Sequence, residues 1–187
     1  MSFRIENKYE LSIAKLTDLY IFLKNSYVKE IYPTRLIKSI YFDNQNFSAY
    51  HESIEGVVPR KKIRIRNYPN TSNEFNLEIK VNSIEGKFKT TQNNINYIDM
   101  LKNGYHDCNY GLCYPTVEVS YFRKYFSIFN LRVTLDTSIS YKEYSKKKKI
   151  PYQETAIMEV KSNNLENINY IEKEIYFPKT RFSKYCN

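Results

Sequence analysis

The 187-residue sequence has no Trp and only 4 Gly, 6 Pro, 3 Cys and 2 His. So little Gly and Pro excludes a collagen-like or low-complexity chain. Cys108, Cys113 and Cys186 are too few, and odd in number, for a disulfide framework, which suits a reducing compartment. His106, Cys108 and Cys113 share one loop-like stretch, but a fourth zinc ligand at suitable spacing is missing, so they read as ordinary loop residues. No apolar run approaches the roughly 20 residues of a membrane-spanning helix. The opening Met1-Ser2-Phe3-Arg4-Ile5-Glu6 lacks the apolar centre of a secretory signal. A cytoplasmic protein without a membrane span of its own is expected, folded as a single domain over 1–187.

What is present is a hydrophobic fraction of 42%, enough for a core, and 29 Lys+Arg against 20 Asp+Glu, a net charge of +9. Aromatic residues make up 16%, from 19 Tyr and 11 Phe, a composition that leans towards strands. Lys146-Lys147-Lys148-Lys149 is the one like-charge block and reads as a solvated loop.

Period-two alternation dominates the chain and marks strands with one charged and one apolar face. In Phe3 to Leu11, residues Phe3, Ile5, Tyr9 and Leu11 oppose Arg4, Glu6, Lys8 and Glu10. Ser12 then caps a helix through about Asn25. A strand over Leu36 to Asp43 leads into a short helix, Phe47 to Glu52. Arg60 to Tyr68 sets Arg60, Lys62, Arg64 and Arg66 against Ile63 and Ile65. Phe75 to Val81 sets Glu78 and Lys80 against Leu77 and Ile79, and after a turn at Gly86, Lys87 and Lys89 share a face. A helix near Ile95 to Leu101 precedes strands Thr116 to Phe126, Leu131 to Ile139 and Thr155 to Lys161. Glu118 and Arg123 have opposite parity, so either a bulge intervenes or one of them points outward.

A solvated outer face would carry interleaved charges with Ser, Thr and Gln; these faces are strongly basic. If about eight such strands close into a barrel, the charged faces line a cationic lumen that needs a polyanion to neutralise it. Arg forks and Lys point charges suit a linear chain of phosphates. Glu159, Glu6, Glu78 and Glu118 are then candidates to hold Mg²⁺ or Mn²⁺, which prefer hard oxygen ligands; a salt bridge to a neighbouring Arg is the competing role for each.

Arg4-Ile5-Glu6-Asn7-Lys8-Tyr9, Ser39-Ile40-Tyr41-Phe42-Asp43-Asn44, Lys62-Ile63-Arg64-Ile65-Arg66, Leu77-Glu78-Ile79-Lys80, Tyr121-Phe122-Arg123, Arg132-Val133-Thr134-Leu135-Asp136, Met158-Glu159-Val160-Lys161 and Phe182-Ser183-Lys184-Tyr185 occur in one order. In that order the chain resembles the VTC domain, the polyphosphate polymerase branch of the triphosphate tunnel metalloenzymes, or CYTH-like superfamily. The resemblance covers nearly the whole chain. It implies an α+β fold, an antiparallel eight-stranded β-barrel with a few flanking helices. It also implies transfer of the γ-phosphoryl group of ATP to inorganic polyphosphate, with release of ADP and with Mn²⁺ or Mg²⁺ as cofactor.

Carried over by motif, Arg64, Arg66, Arg123 and Lys80 are the expected catalytic phosphate contacts and Glu159 the metal ligand. Lys8, Lys62, Lys87, Arg132, Lys161, Arg181, Ser183 and Lys184 are expected to bind substrate. The superfamily's hydrolases open with Glu-x-Glu-x-Lys; this chain has Arg4-x-Glu6-x-Lys8, which weakens a hydrolytic metal site and favours the polymerase. The partners implied are ATP and inorganic polyphosphate or triphosphate, with a membrane-protein partner left open. Two alternatives remain: an inorganic or nucleoside triphosphatase of the same fold, and a non-catalytic binder of polyphosphate or RNA. Tyr9, Tyr41 and Tyr121 sit inside strand motifs rather than in a loose basic patch, so nucleic acid is not expected as a ligand.

Overall fold

A computed structural model describes residues 5–25, 28–128, 131–150, 154–162, 169, 172–173 and 176–186, with Ile5 and Asn25 by backbone alone. Arg4 and Phe3 of the expected first strand lie outside the described residues. The elements are β1 (Ile5–Leu11), α1 (Ile13–Asn25), β2 (Val28–Asp43), α2 (Ser48–Glu55), β3 (Arg60–Tyr68), β4 (Ser72–Ser83), β5 (Gly86–Gln92), α3 (Tyr97–Asn103), β6 (Tyr105–Asp107), β7 (Gly111–Ile128), β8 (Leu131–Glu143), β9 (Lys149–Ile150) and β10 (Ala156–Ser162). The strands follow the path β1-β10-β8-β7-β2-β3-β4-β5, with short β6 on β7 and β9 on β8. The expected eight-stranded antiparallel sheet with flanking helices is therefore present. No helix among the described residues is long and apolar enough to cross a membrane.

The chain forms two compact units. The first takes Met1–Arg35, Tyr121–Ile139 and Tyr152–Phe182. Here β1 pairs with β10 and β10 with β8, and alternation sends Tyr9, Leu11, Val133, Leu135, Met158 and Val160 to one face. There they pack with Leu19 and Leu23 of α1. Glu6, Lys8, Glu159, Lys161, Thr134 and Asp136 are left on the opposite face by the same period.

The second unit takes Leu36–Ser120, Ser140–Pro151 and Ser183–Asn187. Phe42, Ile63, Ile65, Leu77 and Cys113 form its core, closed by Tyr97, Met100 and Leu101 of α3. Asp43 fixes the corner after β2: its Oδ1 accepts from the Ala49 backbone N–H at 3.0 Å and its Oδ2 from that of Tyr50 at 2.9 Å. A buried carboxylate thus meets the first turn of α2, where N–H groups lack intrahelical partners. Gly56 ends that helix at φ 78°, the left-handed region that favours glycine.

Three differences from the sequence reading have physical causes. Strand β2 starts at Val28 rather than Leu36, because Val28–Arg35 is exposed almost throughout and so shows no apolar alternation. His106 and Cys113 belong to the β6–β7 hairpin rather than to a loop, with Cys113 buried in the core. The lysine block is only partly loop, since Lys149 begins β9.

Candidate functional site

Two polar clusters form, one in each unit. In the second unit β3 sets Arg64 and Arg66 on the face opposite Ile63 and Ile65, and both arginines are buried. Glu78 of β4 lies directly across from Arg64. Its Oε2 accepts from Arg64 Nε at 2.8 Å and Nη2 at 2.5 Å, and lies 3.5 Å from Arg66 Nη1; its Oε1 accepts from Lys89 Nζ at 2.6 Å. Burial alone would raise the Glu78 carboxyl, but the charges of Arg64 and Arg66 and the Lys89 hydrogen bond outweigh it and bring its pKa down to about 2. One carboxylate is thus shared by three cations.

The arginines are braced from β2. Arg64 Nη1 donates to Tyr41 Oη at 3.0 Å and Arg66 Nε to Ser39 Oγ at 3.1 Å. Tyr41 is buried; burial opposes its ionisation, yet the charges of Arg64 and Arg66 lower its pKa. Tyr185 stacks on Tyr41 with ring centroids 5.1 Å apart and donates to Asp43 Oδ2 at 2.5 Å. Further along the same face, Lys62, Lys80 and Lys89 stand directly opposite one another across β3, β4 and β5. Lys62 Nζ donates to Ser183 Oγ at 2.8 Å, which ties the end of the chain to this row.

In the first unit Glu159 lies across from Lys8 on one side and Thr134 on the other. Its Oε1 is 2.5 Å from Lys161 Nζ and its Oε2 is 3.9 Å from Arg123 Nη2. Burial raises the Glu159 pKa, but Lys161, Arg123 and Lys8 together hold it well below the usual carboxylate range. Lys161 Nζ also reaches Glu6 Oε2 at 3.6 Å, and Lys8 Nζ lies 3.7 Å from Glu6 Oε1 while donating to the Phe182 carbonyl at 3.0 Å. Arg123 grips the fully buried Asp136 through both Nε and Nη2.

The oxygens in this unit fit a divalent cation. Glu159 and Glu6 converge on one ammonium, Lys161. Thr134 Oγ1, on the strand beside Glu159, is buried without a hydrogen-bond partner among the described residues. All are hard donors, and no group of three or more His, Cys, Asp or Glu gathers among the described residues. Such a set suits Mg²⁺ or Mn²⁺ completed by substrate phosphates and water rather than enclosed by protein.

The remaining expected residues are less enclosed. Lys80, Lys87, Arg132 and Arg181 are exposed and Lys184 is half-buried. Glu78 is the counter-ion of Arg64 and Lys89. Glu118 lies elsewhere: it lines a groove with Ile40 and Ile65, on the face of β3 opposite Arg64. Sequence reasoning gave no role to Ser39, Tyr41 or Tyr185, nor to Asp136 as partner of Arg123. The buried polar residue in an apolar strand motif was the available signal at Ser39 and Asp136.

The strand path is that of the triphosphate tunnel fold. A candidate adenylate cyclase from Bacillus halodurans superposes with a TM-score of 0.67 at 15% identity, over 98% of this chain and 96% of that one. A candidate adenylyl cyclase from Hippeastrum, described as having a dominant triphosphatase activity, gives 0.54 at 14% identity over 96% and 91%. A candidate adenylate cyclase from Vibrio parahaemolyticus gives 0.51 at 13% identity over 93% and 84%. No curated protein matches the chain. The chain belongs to the VTC domain family, whose model matches residues 3–187.

Proposed function

We propose that the protein is a polyphosphate polymerase, transferring the γ-phosphoryl group of ATP to the end of an inorganic polyphosphate chain. The observation that carries this reading is the row Lys62, Lys80 and Lys89 beside the buried Arg64–Arg66 pair. Like charges directly opposite across strands repel one another, and a bound polyanion lying along the row would relieve that repulsion, so the face suits an extended polyanion. A linear phosphate chain supplies one negative charge or more per unit at a spacing that Arg forks and Lys ammonium groups can follow.

In this reading Arg64, Arg66, Lys62 and Lys80 bind phosphate oxygens in the second unit, and Arg123, Lys8 and Lys161 do so in the first. A terminal oxygen of the acceptor chain attacks the γ-phosphorus. A new P–O–P linkage forms, the bond from the γ-phosphorus to the β,γ-bridging oxygen breaks, and ADP leaves with that electron pair. The attacking oxygen is already ionised near neutral pH, so no base is required, and catalysis consists of alignment and charge stabilisation. Asp136 orients Arg123, and Tyr41 and Ser39 orient Arg64 and Arg66, so the guanidinium planes are set before substrate arrives. Glu159 and Glu6 would hold the Mn²⁺ or Mg²⁺, which when bound neutralises phosphate-oxygen charge.

A second reading, hydrolysis of triphosphate, is favoured by the activity described for the Hippeastrum protein. Incubation with ATP and Mn²⁺ followed by gel electrophoresis separates the two: a ladder of long chains supports the polymerase, and free phosphate alone overturns it in favour of the hydrolase. Arg66→Ala is expected to slow turnover by on the order of a hundredfold. A folded Arg66→Ala protein at full rate would remove the arginine pair from the site.

A further inference from the structure

The groove that contains Glu118 has a volume of about 370 Å³ and lies wholly within the second unit, on the sheet face opposite the arginines. Its apolar lining includes Ile65, Phe75 and Tyr97, the two rings stacked with centroids 3.7 Å apart. Lys38 of β2, Lys142 of β8, Lys147 of the following turn and Glu118 of β7 supply its charge. None of these four side chains makes a hydrogen bond or ion pair with a described residue. That contrasts with the two polar clusters, where every carboxylate has a cation beside it. The volume falls in the range of roughly 300–1,000 Å³ typical of small-molecule sites.

The chemistry of the lining narrows the occupant. An apolar and aromatic wall with no charge of its own suits a flat ring system. Three ammonium groups against one carboxylate suit an anion, and a phosphate meets ammonium groups as point charges. The lone Glu118 carboxylate can only accept hydrogen bonds, so it calls for hydroxyl or amino donors on the same ligand. A ring, a phosphate and hydroxyl donors together describe a nucleoside phosphate. We propose that this groove is a second ligand site, which binds a nucleoside monophosphate or diphosphate with its base on the Phe75 and Tyr97 side and its phosphate among the three lysines. It stands apart from the phosphate-binding face and does not depend on the reaction catalysed there.

AMP is the probe, because it presents the ring, the hydroxyls and one phosphate but no triphosphate. Isothermal titration calorimetry on the full chain is expected to give one AMP per molecule, weakened on the order of tenfold or more in Lys142→Glu/Lys147→Glu. Affinity is expected to be unchanged in Arg66→Ala. Inorganic phosphate alone should bind much more weakly than AMP. No AMP binding at millimolar concentration overturns the proposal, as does equal binding in the double variant. Loss of binding in Arg66→Ala would assign AMP to the arginine face instead, and phosphate binding as tight as AMP would remove the aromatic wall from the site. Should the double variant fail to fold, Lys38→Glu reverses the charge of the groove's third, exposed lysine and is read in the same way.

Discussion

Arg123 and Asp136 are joined by two parallel hydrogen bonds, Nε to Oδ1 at 2.5 Å and Nη2 to Oδ2 at 2.7 Å, with Asp136 wholly out of water. Burial would lower the Arg123 pKa, but Tyr121, Asp136 and Glu159 raise it well above its ordinary value, so the guanidinium stays charged. Removing one partner alone leaves an uncompensated charge in a nearly dry site. Asp136→Leu alone is expected to cost about 3–5 kcal/mol. The double variant Arg123→Met/Asp136→Leu should lose clearly less than the two single losses combined. Urea denaturation of the four proteins measures this, and simple additivity would show that the pair is not coupled.

Glu78 makes stability depend on acid. Its pKa is lowered in the folded protein to about 2 from an ordinary 4.5, so its contribution is fully present above pH 4.5 and is lost as pH falls towards 2. The contribution at neutral pH is about 3 kcal/mol. Glu78→Gln should therefore melt well below the parent at pH 7 and approach it as pH falls towards 2. It also leaves Arg64, Arg66 and Lys89 without their shared anion. Tripolyphosphate should then raise the melting temperature of Glu78→Gln by more than that of the parent. Equal stabilisation of both proteins would mean that phosphates do not reach these cations.

The strands that carry the clusters were legible because their period-two alternation separates charge from aliphatic side chains without ambiguity. Lys62, Arg64 and Arg66 against Ile63 and Ile65 is such a run, and Glu159 and Lys161 against Met158 and Val160 is another. What local period cannot carry is contact between distant segments. Tyr185 donating to Asp43 joins residues 142 positions apart, and nothing in either neighbourhood marks the pair. Glu118 shows the opposite limit. Its residue type suited a metal, but the face it occupies, shared with Ile40 and Ile65, takes it away from Arg64. Opposite parity to Arg123 was the only hint of this in the sequence.

Tyr41 tests whether the arginines need their braces. Tyr41→Phe removes the hydroxyl that accepts from Arg64 Nη1 while keeping the ring that stacks on Tyr185. The fold should survive, and tripolyphosphate affinity should fall on the order of fivefold, the equivalent of about 1 kcal/mol for one hydrogen bond. A brace acts through geometry, so Arg64→Ala/Tyr41→Phe should bind no worse than Arg64→Ala alone. If the second substitution weakens binding further, Tyr41 contacts the ligand itself.

Glu159 separates metal binding from phosphate binding. In the absence of metal it neutralises Lys161 and, at 3.9 Å, part of Arg123. Glu159→Gln keeps the shape and removes one negative charge, so without metal those cations become more available to an anion. Tripolyphosphate measured in EDTA should therefore bind Glu159→Gln at least as tightly as the parent. With Mn²⁺ added the order should reverse, because the carboxylate that would hold the cation is gone. Turnover should need far more Mn²⁺ for half-saturation, and Glu6→Gln should shift that requirement in the same direction by less, since Glu6 is the more exposed of the two and sits further from Lys161. The two measurements move in opposite directions only if Glu159 serves the metal; a counter-ion with no metal role would shift binding in the same direction with and without Mn²⁺.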